Sequence, residues 1–145
     1  MPRSRGLIGA APGVAYVIGE DGPDRERLAA ALREMTDLAV VAGVPSKATL
    51  TALGSRNVKL IAASASCLES LAFRNEFALR CRQPKLSSVP VLLFGSDGAV
   101  SAAARSMPAA SALAYRPADD IGPRLRRQLE EAIGGETSAP ELTAV

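Results

Sequence analysis

Short apolar runs bounded by glycine, proline and serine alternate along this chain with longer stretches in which apolar residues recur every three or four positions. The first pattern is that of strands buried in a sheet, and the second that of helices with one buried stripe. The most complete run, Val89 to Phe94, reads Val-Pro-Val-Leu-Leu-Phe and breaks at once into Gly95-Ser96-Asp97-Gly98. With no polar residue alternating in it, the run is expected to be the central strand of a parallel sheet, buried on both faces.

Earlier in the chain, Val14 to Ile18 predicts a first strand, ending in Gly19-Glu20-Asp21-Gly22-Pro23. Asp24 is then expected to cap a helix whose Leu28, Ala31, Leu32 and Met35 share a face. Leu38 to Ala42 predicts a second strand, closed by Gly43 and Pro45, and Ser46 a cap for a short helix through Leu53 that stops at Gly54. The third strand, Val58 to Ala63, runs into Ser64-Ala65-Ser66. A helix from Cys67 to Arg82 is expected to bury Leu68, Leu71, Ala72 and Phe77 and to end at Pro84, which has no amide hydrogen to donate.

Beyond the central strand, the spacing predicts a helix over Ala99 to Met107 stopped by Pro108, and a last strand over Ala112 to Tyr115. The final helix, Asp120 to Ile133, places Ile121, Leu125, Leu129 and Ile133 on one stripe before Gly134-Gly135 ends it. Strands alternating with helices predict an α/β protein: a flavodoxin-like, doubly wound, five-stranded parallel sheet in the order 2-1-3-4-5, with helices on both faces. Residues 1–13 read as a loose lead-in, 14–134 as one domain and 135–145 as a linker or tail. Chemistry in such sheets sits just past the carboxyl ends of the strands.

Composition narrows the chemistry. The chain has 145 residues, enough for a core without disulfides or metal, and only 3% are aromatic, so that core is expected to be packed from Leu, Val, Ile and Ala. A net charge of +2, with basic and acidic residues intermixed, offers little pull toward nucleic acid. There is no histidine, which rules out Ser-His-Asp and Cys-His catalysis and any histidine-containing zinc site. The two cysteines, Cys67 and Cys81, match no metal or redox spacing and read as small buried hydrophobes. No Walker lysine motif, dinucleotide glycine turn, membrane-length apolar run or signal-peptide core is present, and a cytoplasmic location is expected.

With these elements in place, the stretch from Val14 to Ile133 resembles a response-regulator receiver domain. The likeness is carried by the carboxylate turn Gly19-Glu20-Asp21, the Val-Pro-Val-Leu-Leu-Phe fourth strand, and Tyr115-Arg116-Pro117 after the fifth. It implies paired acids for magnesium after the first strand, a phosphoacceptor aspartate after the third, a Ser or Thr after the fourth and a lysine-proline pair after the fifth. Laid on this chain, Glu20 matches the second acid, Gly19 replaces the first, and Asp21 comes one residue late. The acceptor position falls on Ala63, or on Ser64 if the register slips by one; Gly95 takes the hydroxyl position with Ser96 beside it, and Arg116 replaces the lysine while Pro117 is kept.

Phosphoryl transfer to a carboxylate needs that carboxylate and a metal held by others, and a serine without a base is a weak nucleophile. The expectation is therefore a pseudo-receiver: a non-enzymatic module without metal or other cofactor. Glu20 and Asp21 read either as remnants of the pocket or as solvated turn residues, and Arg116 as reaching across to them. Ser64, Ser66 and Ser96 read as small residues packed where a phosphate once fitted.

Arg105, Tyr115, Arg124, Arg127 and Glu131 are candidates for a partner surface, since the resemblance implies dimer or partner contacts on the fourth helix, fifth strand and fifth helix, and a homodimer or a partner protein is expected. The Pro-containing tail fits the linker of a bacterial transcription regulator that would touch DNA only through an output domain. Three alternatives are a small anionic ligand in the vacated pocket, a localisation domain of a pilus-assembly ATPase, and a small enzyme using Cys67 or Cys81.

Overall fold

A computed structural model describes residues 13–107, 110–115 and 120–132 of the chain. The apolar runs form strands β1 (Val14–Ile18), β2 (Ala39–Gly43), β3 (Val58–Ser64), β4 (Val91–Gly95) and β5 (Ser111–Ala114). All neighbours pair in parallel, in the order β2-β1-β3-β4-β5. Each of the four parallel connections needs a crossover, supplied by α1 (Pro23–Met35), α2 (Lys47–Ser55), α3 (Leu71–Arg82) and α4 (Asp97–Ser106), and α5 (Gly122–Ala132) follows the last strand. This is the predicted flavodoxin-like architecture.

Alternation along the strands splits the core into two layers. Ala15, Val17, Leu60, Ala62, Leu92 and Phe94 pack with Leu28 and Leu32 of α1 and Leu125 of α5. Tyr16, Ile18, Ile61, Ala63 and Leu93 pack with Leu50 and Leu53 of α2, Phe77 of α3 and Val100 of α4. One irregularity makes this possible: Val14 pairs with Val58 but Ala15 with Leu60, so Lys59 is an extra residue in β3. That bulge lets Val58 and Ile61, three apart, enter the same layer despite the strand period of two.

Several boundaries differ from the sequence expectation for local reasons. Asp24 does not cap α1; Gly22 does, without a side-chain bond, and Pro23 opens the helix, leaving Asp24 as a first-turn charge that favours the helix dipole. The single helix expected over Cys67 to Arg82 is two pieces, a 3₁₀ turn at Ala65–Glu69 and then α3. Ser70 divides them: its backbone is extended and its side chain accepts from the Phe73 amide, as a serine does when it competes with the helix ladder. The split turns Leu71 (59% exposed) and Ala72 out to solvent while Leu68 and Phe77 stay buried. Gly54 lies inside α2 and does not end it. Pro108 and Ile133 lie outside the described residues, as do the tail and all of the lead-in but Gly13.

Ser46 does cap α2, its hydroxyl accepting from the Thr49 amide at 3.3 Å. Ser46→Ala is expected to cost about 1 kcal/mol, measured as a lower urea midpoint at unchanged slope.

Candidate functional site

The carboxyl ends of β1 and β3 meet at the topological switch point of the sheet, where a ligand site is expected in this architecture. The Gly19 amide extends β1 by donating to the Gly43 carbonyl at 3.0 Å. Because Ile18 pairs with Ala63, Gly19 comes level with Ser64. Of the two residues at this end of β3, Ala63 lies in the core layer under α2, α3 and α4, and Ser64 lines the strand-end cleft. The Ser64 and Ser66 hydroxyls lie 2.9 Å apart, one donating to the other. A Cβ on Gly19 would stand 3.3 Å from that of Ser64, which would have to give by a few tenths of an ångström, and in ordinary contact with the stem of Arg25 at 3.7 Å.

Arg25 was not singled out in the sequence, yet it dominates this cleft. Its Nη1 donates to the Gly19 carbonyl at 3.1 Å, and its Nη2 to Asp21 at 3.0 Å and Glu26 at 3.5 Å. Its side chain is only 11% exposed, whereas that of Asp21 is 82% exposed. An ion pair with so solvated a carboxylate adds little by itself; the bond to the Gly19 carbonyl and the packing of the arginine stem are what seat the guanidinium. The cleft, about 180 Å³, is lined by Glu20, Asp21, Asp24, Arg25, Ser64 and Ser66 among others. Among the described residues, no three side chains of metal-ligating type converge.

Cys67 also reaches this place. Burial pushes its thiol above the ordinary value, opposed by hydrogen bonds with the Ser64 side chain and the Glu20 backbone. A neutral thiol of this kind is a poor nucleophile.

At the end of β4, Gly95 has φ +142°, a conformation that side-chain-bearing residues rarely adopt. Its carbonyl accepts from the Tyr115 amide at 3.0 Å. Ser96 is not a packing residue: it is exposed, and its hydroxyl caps α4 by accepting from the Ala99 amide. Ser66 is exposed as well. Arg116, expected to reach across to Glu20 and Asp21, and Pro117 after it lie outside the described residues.

The candidate partner surface is only partly a surface. Tyr115 is 6% exposed and packs in the α1 and α5 layer, so it is not available to a partner. Its ring lies 5.3 Å from the Arg27 guanidinium carbon, and burial, with Asp24 adding to the rise and Arg27 opposing it, pushes its hydroxyl up to about 12. Arg124 donates to the Ala114 carbonyl, tying α5 to the end of β5. Arg105, Arg127 and Glu131 are exposed.

No protein-family model matches the sequence, and no curated protein does. Among solved structures, the fold is similar to the N-terminal signal receiver domain of a two-component system response regulator from Bacteroides fragilis. The match has a TM-score of 0.62 and 21% sequence identity, and covers 84% of this chain and 97% of that one. The chain therefore has the receiver-domain fold. Among the described residues no helix is long and apolar enough to cross a membrane.

Proposed function

We propose that this chain is a signalling module of receiver fold that works without aspartyl phosphorylation, through protein contacts, as the regulatory domain of a bacterial response regulator. The observation that carries the reading is the close approach of Gly19 and Ser64 just past the last β1–β3 pair, Ile18 with Ala63, where neither residue supplies a carboxylate. An acyl phosphate needs a carboxylate oxygen as nucleophile and a cation to offset charge on the phosphoryl oxygens. Here the nearest oxygen on β3 is a serine hydroxyl with no histidine to activate it, and the cation already in the cleft is the Arg25 guanidinium. The carboxylates of Glu20, Asp21 and Asp24 on the same cleft disfavour the reading in which an anion settles there.

Partner contact is assigned to the exposed charges Arg105, Arg127 and Glu131, which can pair with their own copies across a two-fold axis or with a second protein. DNA is reached only through an output domain. Incubation with acetyl phosphate and magnesium is expected to leave the intact mass unchanged. A phosphoryl mass gain that hydroxylamine removes overturns the reading.

A further inference from the structure

A second cleft opens at the other end of the sheet, among the last turn of α3, the 83–90 connection, the start of β4 and the end of α4; its volume is about 470 Å³. That falls within the roughly 300–1,000 Å³ of small-molecule sites, which combine mostly apolar walls with a few polar groups. Its walls include Ala78, Cys81, Leu86, Val89 and Met107. The connection that forms one wall is held by its own hydrogen bonds, from the Leu86 amide to the Gln83 carbonyl at 2.9 Å and from the Val89 amide to the Leu86 carbonyl at 3.0 Å. Leu86 itself is buried.

Among the described residues, the charge lining this cleft has one sign. Arg82 lines it and is exposed, its side chain making neither ion pair nor hydrogen bond to any described residue, and among the described residues no Asp or Glu lines it. Arg80 and Arg105 stand in the last turns of α3 and α4, the two helices whose ends form the rim. A guanidinium fork matches a carboxylate in two parallel hydrogen bonds. A thioether such as that of Met107 adapts to apolar groups of varied shape.

We propose that this cleft binds a small amphipathic carboxylate, with its apolar body over Cys81, Leu86 and Met107 and its carboxylate on Arg82. The assignment does not depend on the fate of the strand-end site, which lies at the opposite ends of the strands.

Cys81 makes the cleft its own reporter. It is half-buried in the wall, while Cys67 is buried elsewhere and serves as an internal control. The rate of N-ethylmaleimide modification at each cysteine is followed by mass spectrometry with hexanoate as the probe and 1-hexanol as its uncharged counterpart. A ligand of this size is expected to bind at about 1 mM, so about 10 mM hexanoate should slow Cys81 modification about tenfold. Hexanol should protect at least threefold less, and Arg82→Gln, an exposed substitution, should erase the difference between the two. Absence of protection, equal protection by hexanol in the unaltered protein, full protection by hexanoate in Arg82→Gln, or simultaneous opening of Cys67 overturns the proposal.

Discussion

Replacing Phe77 with alanine is expected to remove about 4 kcal/mol of stability, a large part of the roughly 5–15 kcal/mol that holds a domain of this kind together. The ring is 0% exposed. It stacks on Phe73 with centroids 6.1 Å apart and planes 7° from parallel, so truncation loses the aromatic contact together with the buried area. What surrounds the ring makes the loss hard to recover. The layer it fills is built from residues as small as Ala63, Ala65 and Ala103, which have no rotamers with which to close a void. Urea unfolding followed by far-UV circular dichroism reads the change as a fall in midpoint. Phe77→Leu, which keeps most of the volume, should recover more than half of the loss; a cost below about 1 kcal/mol for the alanine variant means that α3 does not pack on the sheet through this residue.

Gly95→Ala is expected to cost about 2 kcal/mol, for a different reason. The added methyl has room, since its nearest neighbour would be the Ala65 Cβ at 3.7 Å. The cost comes from the backbone, held at φ +142° where a Cβ collides with its own peptide groups. Two consequences separate strain from crowding. Gly95→Ser should cost nearly the same as Gly95→Ala in the same urea experiment, because the strain begins at Cβ. Placing a hydroxyl at the end of β4 therefore comes with a stability loss of its own. Alanine tolerated without loss means that the β4 end relaxes to an ordinary φ.

The parts of this fold that were legible in the sequence are those governed by one element's own periodicity. Val14 to Ile18 is a strand with the predicted ends, Ile121, Leu125 and Leu129 form the predicted buried stripe, and Ser46 caps the helix it precedes. Leu71 was misread because the stripe was counted straight through Ser70, whose extended backbone separates the two helical pieces and whose side chain caps the second. Arg25 was missed for a deeper reason. On its own helix it reads as one more solvated charge between Asp24 and Glu26; only the approach of the β1 end brings the Gly19 carbonyl within 3.1 Å of it. The available signal was the empty side-chain position at Gly19, which leaves space for a long residue six positions on. Cys67 was likewise invisible as a neighbour of Glu20, since that contact depends on a 3₁₀ turn folding back toward β1.

The guanidinium at the mouth of β1 arrives by peptide synthesis and not from a reservoir of ions. Its stoichiometry is one per folded chain, whether the surroundings are rich or poor in divalent salts. The donor that holds the Gly19 carbonyl is thus inherited with the sequence.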